Sequence, residues 1–188
     1  MRAMSVVADL LLLNLLTVLC SVPVLTAGAA FTALYDRMIR MVRGEETYIL
    51  KPFLQSFGSN LKKGSLLGII FLIAAGLLYV DYRIVQLYLP ILIPGVGALA
   101  VILLAVALYA FPLLARYENT LPGTLKNAAL LMIGYFPRTL AMVVVMVGIW
   151  MAALQYARIF APMMLLLGLS LPCYVCVLLI NGVFEKIH

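Results

Sequence analysis

Apolar residues in this chain come in five long runs separated by polar gaps, not at the short period of a half-buried helix or strand. A helix that crosses a bilayer needs about 20 predominantly apolar residues at 1.5 Å each. The runs that meet this cover residues 6–30, 65–80, 91–114, 139–156 and 161–180. The second is short and reaches full thickness when Lys62 and Lys63 snorkel toward the headgroups. The pattern predicts an all-α polytopic membrane helix bundle. It forms one integral membrane domain over residues 1–188, with about five transmembrane helices.

The gaps carry a pattern of their own. In the first, Phe31, Leu34, Tyr35, Met38, Met41 and Val42 recur at helical spacing while Asp36, Arg37, Arg40 and Arg43 fall toward the other side. This predicts a short amphipathic helix, supported by the Asp36/Arg40 pair and stopped at Gly44. A second is expected from Pro52, with Phe53, Leu54, Phe57 and Leu61 on one side. Both are expected along the cytoplasmic headgroup layer. Short turns are expected at 81–83 and 157–160, and a second polar loop over 115–138. There Ala128 to Arg138 can be laid over Pro52 to Lys62 as a weak tandem repeat.

Composition agrees: 66% of residues are hydrophobic and 11% charged, with a mean hydropathy of +1.17, far from the roughly 25% charged of soluble domains. The net charge of +6 does not point to nucleic acid, because the basic residues flank spans, where anionic lipid headgroups are the nearer counter-charge. Arg37, Arg40, Arg43, Lys51, Lys62, Lys63, Arg116, Lys126, Arg138 and Lys186 share one side, against Arg2, Arg83 and Arg158 on the other. Short basic loops stay in the cytoplasm, so five spans place the amino terminus outside and the carboxyl terminus inside. The first apolar run exceeds a signal-peptide core of roughly 7 to 15 residues and reads as a retained span.

Polar groups within hydrocarbon are costly and therefore informative. Asn14, Thr17 and Ser21 share one face of the first span; the stripe reads as helix packing, and its functional alternative is the lining of a solute pathway. Pro23 and Pro172 are expected kinks. Gly28, with the G-x-x-x-G of Gly64 and Gly68, is expected to permit close helix packing, within the chain or in a homo-oligomer. Cys173 and Cys176 form a C-x-x-C on the last span; they read as packing residues, with an intramembrane thiol oxidoreductase as a third functional alternative. The only histidine, His188, is the last residue, so neither a Ser-His-Asp hydrolase nor a zinc site with several histidines fits. No catalytic, metal or cofactor-binding residue is assigned, and the expectation is a protein that is not an enzyme.

The run of Asn14-Leu15-Leu16, Ser21-Val22-Pro23-Val24-Leu25-Thr26-Ala27-Gly28, Thr32-Ala33-Leu34-Tyr35, Arg43-Gly44-Glu45-Glu46 and Phe53 with Phe57 resembles the YesL family of bacterial integral membrane proteins, built around a domain of unknown function. Leu125-Lys126-Asn127-Ala128 fits the family's second inner loop. The resemblance implies location in the bacterial cytoplasmic membrane. It also implies an accessory or regulatory role in carbohydrate uptake, beside the subunits of a sugar ABC transporter. On that reading Arg43, Gly44 and Glu45 are candidates for contact with a cytoplasmic partner; from the residues alone, the row of Arg37, Arg40 and Arg43 with Glu45 and Glu46 reads as a topology signal and interfacial anchor, with a docking platform for a cytoplasmic partner or anionic membrane lipid as its functional alternative. The chain begins closer to the first span than the family pattern does, so a lead-in segment is expected to be missing.

Overall fold

A computed structural model describes residues 2–45, 48–117, 120–155 and 168–184, and all the regular structure among them is helical. Helix α1 covers Arg2–Ser21 and, after a 3-10 turn at Val24–Thr26, α2 covers Ala27–Val42. Helix α3 runs over Leu50–Tyr88 and, after a second 3-10 turn at Pro90–Leu92, α4 over Ile93–Arg116. Helices α5 (Leu121–Gly134), α6 (Phe136–Gln155) and α7 (Ser170–Phe184) follow. By length and composition α3 and the unit Pro90–Arg116 are each able to cross a bilayer. The pair α5–α6, bent by 100° at Tyr135, makes a third if it counts as one broken span. The expected count of about five is thus met at two or three among the described residues.

The expected first span, 6–30, is not one crossing helix. Asn14 on α1 accepts hydrogen bonds from the amides of Leu169 (3.1 Å) and Ser170 (3.2 Å) at the start of α7. Tyr35 on α2 lies beside Cys173, one turn further along α7. Positions 14 and 35 would be about 30 Å apart in a continuous helix. They meet the same turn of α7 because the chain reverses between them, so α1 and α2 form an antiparallel hairpin. The reversal satisfies its own backbone: the Val22 amide bonds to Leu19, the Thr26 amide to Pro23, and the Thr26 hydroxyl reaches the carbonyls of Cys20 (2.7 Å) and Pro23 (2.8 Å). Pro23 therefore starts a turn instead of bending a helix.

Helix α2 corrects a second expectation. It does not lie along a headgroup layer; Gly28, Ala29, Ala30, Ala33, Leu34 and Met38 are buried in the middle of the bundle. The small residues let α2 meet α3 backbone to backbone. A Cβ on Gly28 would collide with the Gly64 carbonyl and lie 2.8 Å from Gly68 Cα, and one on Gly64 would lie 2.8 Å from Ala29 Cα. The G-x-x-x-G is thus occupied within the chain, by α2.

Helix α3 absorbs three predicted pieces: the short helix from Pro52, the span 65–80 and the turn at 81–83. At 39 residues it is about 58 Å long, well beyond a hydrocarbon core of about 30 Å. Pro52 sits in its first turn, where no intrahelical hydrogen bond is lost. Residues 64–80 carry no charge and supply about 25 Å of apolar length. The α3–α4 hairpin stands clear of the other helices at its far end: from Gly68 to Leu104 no residue is buried. Its surface there is mostly hydrocarbon (Leu77, Leu87 and Ile91 are exposed), which suits immersion in lipid, with the exposed Asp81 and Arg83 toward the tip.

The tandem repeat does not survive in three dimensions. Pro52 to Lys62 lies on one unbroken helix, whereas Ala128 to Arg138 straddles the 100° bend. Pro172 falls in the first turn of α7, where it causes no kink. The expected turn at 157–160 and most of the expected start of the last span lie outside the described residues.

Candidate functional site

The end of the bundle where α2 stops, α3 starts and α4 finishes holds most of the described charge. Helix α2 stops there by backbone geometry. The Glu45 amide bonds to the Arg40 carbonyl and the Gly44 amide to the Met41 carbonyl, both at 3.1 Å, with Gly44 at φ +72°. This is the paired C-terminal motif that a left-handed residue makes possible, and it is the stop read from the sequence at Gly44.

Asp36 organises the row of arginines. Its carboxylate accepts two hydrogen bonds from Arg37 (3.2 and 2.6 Å) and one from Arg40 (3.1 Å), and Arg40 also pairs with Glu45 at 3.5 Å. The row expected to act together is therefore divided. Arg37 is 7% exposed and built into the packing, whereas Arg40, Arg43, Gly44 and Glu45 are exposed. Glu46 lies outside the described residues. Tyr48, just past the turn, is 90% exposed.

Beside this loop lies a groove of about 1090 Å³ walled by the ends of the three helices. It is lined by five cations, Arg37, Arg40, Lys62, Lys63 and Arg116, against two carboxylates, Asp36 and Glu45, with hydroxyls from Ser56 and Ser59. Arg43 stands close enough to Arg116 for the two charges to repel. Sequence reading placed Lys62, Lys63 and Arg116 only as topology signals; their convergence depends on the α2–α3–α4 arrangement, which no local pattern encodes. Tyr48 was missed as well, although an aromatic between two helices and beside charged residues was a visible signal.

The other singled-out residues form separate groups. Asn14 and Thr17 are buried (1% and 0% exposed), with the Thr17 hydroxyl returned to the Leu13 carbonyl at 2.7 Å. The Asn14 stripe thus acts as a helix cap and packing face. Cys173 and Cys176 are buried free thiols packed against α2. Among the described residues no three His, Cys, Asp or Glu side chains converge on one point.

Residues 10–82 match the model of a family described as a protein of unknown function, DUF624. Over that segment the chain is similar to DUF624 proteins. YesL-type proteins carry that domain, so the resemblance drawn from Asn14 through Phe57 stands. The DUF624 segment takes in most of α1, all of α2, the Gly44 turn, and α3 as far as Tyr82; the α4 wall of the groove lies outside it. No curated protein and no solved structure matches the chain.

Proposed function

We propose that this is a non-enzymatic protein of the bacterial cytoplasmic membrane that assists carbohydrate uptake. It does so by docking a subunit of a sugar ABC transporter on its cytoplasmic end. The observation that carries the reading is the exposed surface after α2: the turn at Gly44 presents exposed Arg43 and Glu45, and Tyr48, ahead of α3, is 90% exposed. Exposed tyrosine and arginine side chains are among those that dominate protein interfaces. The carbohydrate setting comes from the YesL resemblance.

The basic residues around this loop support a cytoplasmic position for it. The start of α1 lies at the same end of the bundle, because α1 and α2 form a hairpin. It is therefore assigned to the cytoplasm too, in place of the outside position that five crossings imply. A solute pathway along Asn14, Thr17 and Ser21 is not favoured, since Asn14 and Thr17 are enclosed by helix packing.

The test is affinity capture of the tagged protein from mild-detergent membranes of a bacterium grown on plant polysaccharide. An ABC permease or its ATPase is expected to co-purify, and to be lost when Arg43→Gln and Tyr48→Ala are combined. Recovery of the protein alone, or undiminished recovery of the transporter with the double variant, would overturn the reading.

A further inference from the structure

The α3–α4 arm carries two charges whose placement one copy of the chain does not satisfy. Between Lys63 and Arg116 the only charged side chains are Asp81 and Arg83. Both are exposed, and among the described residues neither has an ion pair or a side-chain hydrogen bond. Two positions apart on a helix, they point to different sides and do not face each other. From Lys63 to Tyr88 α3 runs about 37 Å, about 7 Å more than a hydrocarbon core, and the two charges come about 27 and 30 Å along it. Beyond them Leu87, Tyr88 and Ile91 are exposed. A lone arm in a bilayer therefore draws an unpaired aspartate and arginine into hydrocarbon or pushes its apolar tip out of it, and either is costly.

We propose that the arm pairs with the arm of a second copy of this chain about a twofold axis along the membrane normal, with Asp81 of each copy against Arg83 of the other. Such an axis keeps both copies in one orientation in the membrane and brings a patch against itself. Asp81 and Arg83 stand about 100° to either side of Tyr82, and Tyr82 lines a cleft of about 520 Å³ between α3 and α4. When the two cleft faces meet with α3 against α3, the Asp81 flank of one helix stands opposite the Arg83 flank of its twin, on both sides of the axis. The patch is thus complementary to itself in charge. Two reciprocal pairs form, and the tips can sink into hydrocarbon with the charges neutralised. Ala75, Gly97, Ala100 and Ala107 line the same cleft, and small side chains let helices approach closely in lipid. The contact is separate from Gly64 and Gly68, which α2 occupies, and from the surface around Tyr48. A lipid acyl chain would cover the cleft but leave Asp81 without a counter-charge.

The experiment co-expresses two differently tagged copies of the full chain, captures one tag from membranes solubilised in mild detergent, and measures how much of the other comes with it. Parent copies are expected to co-purify. Asp81→Arg expressed with itself, and Arg83→Asp expressed with itself, place like charges at both contacts, and recovery is expected to fall at least roughly tenfold. Asp81→Arg expressed with Arg83→Asp restores two opposite-charge contacts, and recovery is expected to return toward the parent level, which also shows that both variants fold. A parent that recovers none of the second tag would mean that lipid covers the arm, and would overturn the pairing. Unchanged recovery in both single variants, or a mixed pair recovered no better than either variant with itself, would overturn it as well.

Discussion

Asn14 offers a single buried carbonyl oxygen to two amides at the start of α7. Asn14→Leu keeps the volume and leaves both donors in apolar surroundings, so a loss of about 2–4 kcal/mol is expected. Asn14→Asp keeps the acceptor at a helix N-terminus, where negative charge is favoured, and is expected to retain more of the stability than Leu does. Denaturant unfolding in detergent ranks the two, and a Leu variant as stable as the parent would contradict the capping role. At the α2–α3 crossing, Gly28→Val drives a side chain into backbone with no flexible neighbour to yield. It is expected to prevent recovery of folded protein, whereas Gly76→Val, with open space around it, is expected to be neutral or slightly stabilising, because valine has the higher helix propensity of the two. Equal yields would show that the two helices do not meet there. The shared face of Asn14, Thr17 and Ser21 was legible from spacing alone. Its partner was not, because it lies 155 positions away and backbone amides leave no mark in a side-chain pattern.

At the scale of elements, hydropathy found the apolar segments and misjudged how they are used. A window over residues 6–30 counts hydrocarbon, and a turn facing lipid is as apolar as the helices it joins: Val22, Val24 and Leu25 are all exposed. The reversal rests on Pro23 and on a threonine hydroxyl returned to backbone, signals no stronger than those of an ordinary kink. Amphipathicity misled in the same way over α2. Its polar side faces the charged groove, but its apolar side faces other helices and not a headgroup layer. The bend between α5 and α6 has a local cause of the same type. The Thr139 hydroxyl lies 3.0 and 3.1 Å from the carbonyls of Met132 and Tyr135, and the Tyr109 hydroxyl on α4 joins it at 3.1 Å. Thr139→Val removes the hydroxyl at nearly constant volume. It is expected to lower stability by about 1–3 kcal/mol, through carbonyls and a tyrosine left without that partner. Thermal unfolding of Thr139→Val, Tyr109→Phe and the double variant gives the check: the double is expected to cost less than the sum of the singles. Strict additivity would mean that the two groups do not act together.

For the whole molecule, the described residues form one charged end, one largely apolar hairpin arm and a helix pair, α1 and α2, that returns to the charged end. That arrangement predicts the side on which each part is found. A single Cys at Lys51 and one ahead of α1 are expected to react with a membrane-impermeant maleimide in inverted vesicles and not in intact cells. A Cys at Leu87 is expected to behave oppositely. Labelling of the α1 position from outside would contradict the hairpin. The most direct test of the docking role places a photo-cross-linking amino acid at Tyr48 in membranes of cells grown on polysaccharide. An adduct with an ABC permease or ATPase is expected on irradiation, weakened by Arg43→Gln and absent when the cross-linker is moved to the lipid-facing position Leu77. Irradiation that yields no protein adduct at Tyr48, in a chain shown to be folded and inserted, would contradict it.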